Sequence, residues 1–316
     1  MKIVHSKINF FLGVIFVIFM YSCHDSTTLN KNAIPELGSQ DGKWFLVWSD
    51  EFNYEGLPDP GKWIYEVGHA RGTESQYYTK ARPENAFVKG GVLTITAIKE
   101  KYPNGDYKNP DIPPDSRRAW RTLNEFEEYT SASINTKYRA AWLYGKIDVR
   151  AKLPQGTGVW PAIWTLGTNI DSAPWPRSGE VDIMEFIGKL PEAVHSNVHW
   201  RNNNGEHKSQ NASPKVDAPW NDFHVYSLEW NENEMIFYYD NEVIHRVDIS
   251  VSEEAMSKVT NADTPLRADG MEAFHQPQFL LLNLALGGGW GGPVIDDNML
   301  PQTFQVDYVR VYQLKK

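Results

Sequence analysis

Side chains on a β-strand alternate between its two faces. A strand-like segment with acids at fixed spacing therefore constrains the sheet it belongs to. Residues 179–188 read GEVDIMEFIG and carry Glu180, Asp182 and Glu185 among apolar and β-branched residues. Glu180 and Asp182 share a face, but a regular strand would send Met184, not Glu185, to that face next. A β-bulge between Asp182 and Glu185 adds the extra residue and returns Glu185 to the acidic side, as bulges do beside active sites. Val181 and Ile183 then point into the core, and Met184 absorbs the irregularity. The five steps from Glu180 to Glu185 span about 16 Å on a straight strand. The acids converge only if the strand curves with them on its concave side, so the spacing predicts a bent sheet.

The surrounding chain reads as strands and turns. GVLTITAIK and YGKIDVRAKL alternate, with Ile147, Val149 and Ala151 on one face and Lys146, Asp148 and Arg150 on the other. MIFYYDNEVIHRVDI is a hairpin turning at Asp240–Asn241. QFLLLNLAL is a continuous apolar run, expected to be a strand buried on both faces, and FQVDYVRVYQL closes the chain. Ser250 and Glu253 form a capping box for one short helix, SEEAMSKV. Many short strands with almost no helix make the fold all-β, a curved sandwich with a concave cleft. A chain of 316 residues accommodates this as one large domain. Residues 101–129, rich in Pro and Asp, are expected to be a functional loop flanking the site.

The N-terminal segment does not belong to that fold. Lys2 and Lys7 precede INFFLGVIFVIFMY, an apolar run too short for a comfortable membrane span and suited to a signal peptide over residues 1–22. Cys23, the only cysteine, follows Ser22 as in a bacterial lipobox. Lipidation there anchors the mature chain to a membrane without spanning it and leaves no thiol for a disulfide. Residues 23–42 form the lipidated start and a polar tether, and residues 43–316 the folded domain. The expected location is the cell envelope, at the outer membrane or cell surface. The net charge of −9 and the lack of a basic tract exclude a nucleic-acid partner.

Three carboxylates on one face repel each other and raise at least one pKa. Retaining glycosidases need that asymmetry: an ionised nucleophile and a protonated acid roughly 5 Å apart. The neighbourhood fits a sugar. Trp160 and Trp164 share a face, Trp175 lies just before the acids, and His199 lies on the next strand. Indole faces stack on the apolar faces of sugar rings.

GEVDIME resembles the E-x-D-x-x-E signature of glycoside hydrolase family 16 in its bulged, laminarinase-like form. WSDEFN, YTSASINT, YGKIDVRAKLPQGTGVWPAIWTLG, VHSNVHW, LNLALGGGWGG and VDYVRVYQ are similar to segments of that family in the same order, over about residues 43–316. The resemblance implies a curved β-jelly roll and hydrolysis inside a β-linked chain with retention. It implies Glu180 as nucleophile, Glu185 as acid/base and Asp182 as the aspartate that tunes the nucleophile. It also implies His199 near the acid/base, cleft aromatics at Trp160, Trp164, Trp175 and Trp290, and substrate contacts at Glu74 and Gln76. No cofactor is expected for catalysis. A structural calcium is implied at Glu51, Gly91 and Asp307, whose oxygens suit a hard cation.

One segment departs from the family. Where laminarinase-like members read N-N-E-x-Q, this chain reads RGTESQ, with Gly72 and Thr73 replacing the asparagines before Glu74 and Gln76. The leading expectation is an endo-acting hydrolase of β-1,3 or mixed β-1,3/1,4 glucan, working as a monomer. A second keeps the mechanism and takes galactosidic bonds of O-glycans, poly-N-acetyllactosamine or algal galactan. A third, from another class, is a non-catalytic jelly-roll lectin, which would be expected to lose an acid that this chain keeps.

Overall fold

The structure is a computed structural model that describes residues 44–251 and 270–315. The leader, Cys23, the tether and the helix expected at residues 252–259 lie outside the described residues. Among the described residues no helix is long and apolar enough to cross a membrane.

The chain runs through β1 (Trp44–Asp50), β2 (Ile64–Tyr65), β3 (Tyr77–Tyr78), β4 (Ala86–Lys89), β5 (Val92–Pro103), β6 (Phe126–Ser131), β7 (Ser133–Asn135), β8 (Gly145–Lys152) and β9 (Val159–Gly167). It continues through β10 (Glu180–Glu185), β11 (His195–Arg201), β12 (His207–Ala212), β13 (His224–Trp230), β14 (Glu234–Tyr239), β15 (Glu242–Asp248), β16 (Gln278–Leu286) and β17 (Gln302–Leu314). One sheet has the order β15-β14-β13-β8-β17-β5-β6-β3, with β1 pairing β17 and β4 pairing β5. The other has the order β12-β11-β10-β9-β16-β7-β2 and carries the acids in its middle.

Period-two patterning explains the two layers. In β8 every second residue is buried, so Ile147, Val149 and Ala151 enter the core while Lys146, Asp148 and Arg150 take the opposite face, half-buried. β16 is buried along its whole length because both its faces are covered. Leu280, Leu282, Leu284 and Leu286 join the main core, whereas Phe279 and Leu281 join a second cluster with Ala162, Trp164 and Leu166 of β9. That second cluster lies on the sheet's outer face, where Ala162, Trp164 and Leu166 line the cleft floor. The Asp240–Asn241 turn has positive φ at both residues (47° and 71°), the geometry of a type I′ hairpin, which matches the twist of the strands it joins.

The segment after β5 is more ordered than a free loop. β5 runs on to Pro103, and its last residues pair with β6. The connection between them holds a 3-10 turn, Ala119–Thr122, and is pinned by Asn104, whose Nδ2 donates to Arg121 O (2.7 Å) and Asn124 O (2.9 Å).

Candidate active site

The bulge lies where the spacing of the acids demands it. β10 pairs with β11 in register from Glu180↔His199 to Asp182↔Asn197, then shifts before Glu185↔His195. Its pairing with β9 shifts between Asp182 and Met184. Ile183 and Met184 both enter the main core, 1% exposed each, as expected when two consecutive residues fall on one side of a bulged strand. Glu185 thereby rejoins Glu180 and Asp182 on the outer face. The three line a cleft of about 660 Å³ together with Trp160 and Trp164 of β9 and Asn283 of β16.

Burial and mutual repulsion act on the acids together. Burial, opposed by the Arg71 charge and a hydrogen bond from Trp175, lifts Glu180 to about 7. Burial, then the charge of Glu180, lifts Glu185 to about 8, and a hydrogen bond from Trp160 holds it down. Asp182, 3% exposed, is raised well above the usual carboxylate range by burial and by both glutamates. Of the two glutamates, the one nearer a cation ionises first and the one without a cation keeps its proton longer.

Two histidines flank this row. His199 Nε2 lies 3.4 Å from Asp182 Oδ2 and 3.7 Å from Glu180 Oε1, so it serves the Glu180 end of the row. The residue opposite Glu185 is His195, which corrects the expectation that His199 would sit near the acid/base position. His195 is buried, bonds Ser213 Oγ through Nδ1 (2.7 Å), and packs its ring 4.8 Å from Trp290. Burial pushes both histidines below their ordinary pKa, His199 to about 4 with help from His207.

The expected aromatics take different positions. Trp160 Nε1 donates to Glu185 Oε1 at 2.9 Å, and Trp290 meets the Trp160 ring edge-to-face at 5.4 Å. Trp175 is 47% exposed at the cleft rim, beside His199 and His207. Trp164 lines the cleft but is 5% exposed, with Nε1 bonded to Asn283 Oδ1 (2.7 Å) and the Arg71 guanidinium 4.7 Å above its ring. A sugar approaching Trp164 meets arginine rather than an open indole face. Glu74 lines the cleft and also a side pocket formed with Trp120, Leu123 and other residues of the 101–129 segment. Gln76 is fully buried and braces β16, its Oε1 accepting from Leu286 N (2.7 Å) and its Nε2 donating to Glu74 Oε2 (3.2 Å). It supports Glu74 from behind and does not reach the cleft.

Glu51, Gly91 and Asp307 lie apart from this site. Glu51 follows the last β1 pairing with β17, Asp307 follows the last β5 pairing with β17, and Gly91 sits in the turn before β5. Both carboxylates are engaged: Glu51 by Arg310 (3.0 and 2.8 Å) and Asp307 by Arg150 (2.6 Å). Each of these carboxylates thus faces a guanidinium, and Gly91 offers an oxygen ligand only through its backbone carbonyl.

Arg71 and His195 are the residues that the sequence reading passed over. Arg71 ion-pairs with Glu66 and stacks on Trp164 and Tyr78. The signal for it lay in RGTESQ, where the departure from the family begins one residue after Arg71. His195 lies in VHSNVHW, and only cross-strand register distinguishes it from His199.

The sequence profile of Glycosyl hydrolases family 16 matches residues 73–270. The chain belongs to this family. A family 16 relative, the β-glucanase of Rhodothermus marinus, is 42% identical over 276 residues, 85% of each chain. The laminarinase structure from R. marinus superposes with a TM-score of 0.69 at 40% identity, covering 86% of this chain and 98% of that one. A structure from work on the endo-acting O-glycanases that prominent human gut bacteria express to initiate mucin breakdown superposes with a TM-score of 0.75 at 33% identity, covering 89% and 94%. The protein is thus a glycoside hydrolase of jelly-roll fold.

Proposed function

We propose that the protein is a retaining endo-β-glucanase acting on β-1,3 or mixed β-1,3/1,4 glucan. The observation that carries this reading is the row Glu180, Asp182 and Glu185 on the floor of one cleft, aligned by the bulge and differently placed with respect to Arg71. The similarity to the R. marinus β-glucanase supports the substrate class. In the first step the Glu185 carboxylic acid donates its proton to the glycosidic oxygen. The Glu180 carboxylate attacks the anomeric carbon, the glycosidic bond breaks, and the leaving chain departs as an alcohol. In the second step the Glu185 carboxylate takes a proton from water, whose oxygen displaces Glu180 and releases the sugar. Asp182 sits beside Glu180 and tunes its charge. Trp160 orients Glu185, and Trp175 gives a sugar an open face at the rim.

A second reading is favoured by one feature of the cleft. Arg71 covers Trp164 on the segment where the asparagines of glucan-cleaving members are replaced, and the similarity to the O-glycanase structure points the same way. This reading keeps the chemistry and changes the sugar to a β-galactoside of an O-glycan. The test is a panel of laminarin, barley mixed-linkage glucan, mucin O-glycans and agarose with product analysis. Oligosaccharides from either glucan support the first reading. Release from mucin alone replaces it with the second, and turnover of nothing in the panel overturns both.

The same proposal places the enzyme at the cell envelope through lipid on Cys23, on the support of the lipobox-like sequence alone. The expected observation is a lipid-modified Cys23 peptide in the membrane fraction that is lost in Cys23→Ala. A membrane fraction free of that peptide contradicts the anchor.

A further inference from the structure

The two central strands of the cleft place four polar side chains on one patch. Glu180 and Asp182 of β10 stand directly opposite His199 and Asn197 of β11, and cross-strand neighbours on one face have Cβ atoms only about 5 Å apart. Glu180, Asp182 and His199 each offer a ligand atom within 4.8 Å of the others, the cluster of this kind found among the described residues. An acidic cluster alone is ordinary, but two further features mark this one. Asp182 is 97% buried by its 3% exposure, and its Oδ2 has no hydrogen-bond partner while it faces His199 Nε2 at 3.4 Å. The other ring nitrogen, Nδ1, is engaged by His207 Nε2 at 2.9 Å, which leaves Nε2 aimed at the carboxylates.

We propose that Glu180, Asp182 and His199 form an inhibitory site for a zinc-type divalent cation in the catalytic cleft. Tetrahedral Zn²⁺ holds N and O ligands at about 2.0–2.2 Å, which places neighbouring ligand atoms about 3.3–3.5 Å apart. The distances from His199 Nε2, 3.4 Å to Asp182 Oδ2 and 3.7 Å to Glu180 Oε1, already match that spacing within a few tenths of an ångström. Three protein ligands leave the fourth position to water. Asn197 borders the same place: its Nδ2 lies 2.9 Å from His199 Nε2, and its Oδ1 is buried with no hydrogen-bond partner. A half-turn of that amide replaces the competing donor with an oxygen that faces the cation. Two carboxylates and an imidazole suit zinc rather than calcium, which takes six to eight oxygens, or magnesium, which demands a near-octahedral oxygen shell. The cation also cancels the repulsion among the three acids. His207 completes the design by accepting from His199 Nδ1–H and orienting the ring, as outer-shell partners of metal-bound histidines do.

Inhibition rests on the reading of Glu180 as nucleophile, but binding does not. The test is calorimetric titration of the full-length protein with Zn²⁺, alongside hydrolysis of whichever glycan the panel identifies. The expected result is one Zn²⁺ event with a matching inhibition midpoint, reversed by EDTA and not reproduced by Mg²⁺ or Ca²⁺. His199→Ala should weaken that event at least about tenfold. His207→Ala, at an exposed position, should weaken it about 10- to 100-fold. Absence of a Zn²⁺ event, a Zn²⁺ event that neither variant weakens, or binding without inhibition of an active enzyme overturns the proposal. If no glycan in the panel is cleaved yet the event is present and lost with His199, the functional reading fails and the metal site stands.

Discussion

Trp160 donates its indole N–H to Glu185 Oε1 at 2.9 Å across adjacent strands of the cleft floor. β9 therefore holds the proposed proton donor in place while the bulge in β10 aims it. The same bond favours the ionised form of a carboxyl that burial and Glu180 push up to about 8. Trp160→Phe keeps an aromatic ring, though a smaller one, and removes the donor. The alkaline limb of kcat/KM should move to higher pH, because the ionised Glu185 loses a stabilising partner. Turnover should fall roughly 10- to 100-fold as the carboxyl loses its fixed orientation. A pH–rate profile of the variant checks both, and an unmoved alkaline limb contradicts the role.

Arg71 opposes the burial of Glu180. Arg71→Met removes that charge, so Glu180 should hold its proton to higher pH and the acid limb should shift upward, narrowing the active range from below. Arg71→Lys keeps the charge and should leave the acid limb near its original place while uncovering the Trp164 ring. A pH profile shared by both variants and the wild type would show that the charge does not act on Glu180.

The raised carboxyl pKa values also govern stability. Glu180 and Glu185 ionise near their ordinary value of 4.5 when unfolded, but at about 7 and 8 when folded. Between those limits the folded state binds more protons than the unfolded chain. Stability is therefore greatest below about pH 4.5 as far as these groups are concerned, and falls as pH rises to 8. Glu185→Gln removes one charge from the row. It should raise Tm at pH 8 more than at pH 5, by on the order of 2–4 °C for each kcal/mol of repulsion relieved. Thermal melts at the two pH values read this, and an equal effect at both would contradict the strain assigned to the row.

Glu180→Ala should reduce turnover to background while leaving a cooperative melt. It removes the proposed nucleophile and one of the charges acting on Asp182 and Glu185. Asp182→Asn should retain partial activity with a displaced pH optimum. Substantial turnover by Glu180→Ala would sink its assignment, and an unchanged optimum in Asp182→Asn would remove the tuning role.

Much of this arrangement was readable from spacing alone. The step of two and then three from Glu180 to Glu185 demanded a bulge, because the only alternative buried a carboxylate where Met184 now packs. The double burial of β16 and the Asp240–Asn241 hairpin followed from period and turn chemistry. Other features depend on contacts between segments distant in sequence. Trp160 and Trp164 share a face and look equivalent in sequence, yet Arg71, about 90 residues earlier, covers one and leaves the other facing Glu185. His195 and His199 are both two-period neighbours on β11, and only the register against the bulged strand decides which glutamate each one meets. The resemblance implies Gln76 as a substrate contact, but it is fully buried, where its Oε1 accepts from Leu286 N and its Nε2 donates to Glu74. Glu51 and Asp307 read as available oxygens, and the arginines that engage them lie on β17 and β8.

The division of labour between Glu180 and Glu185 is tested most directly by trapping the covalent intermediate. The enzyme would be incubated with an activated 2-deoxy-2-fluoro glycoside of the sugar that the panel identifies, digested, and its peptides mapped by mass. The expected result is one glycosyl adduct, carried by Glu180, with wild-type activity lost in step with its formation. An adduct on Glu185 or Asp182, or continued turnover of that glycan with no adduct on Glu180, would contradict it.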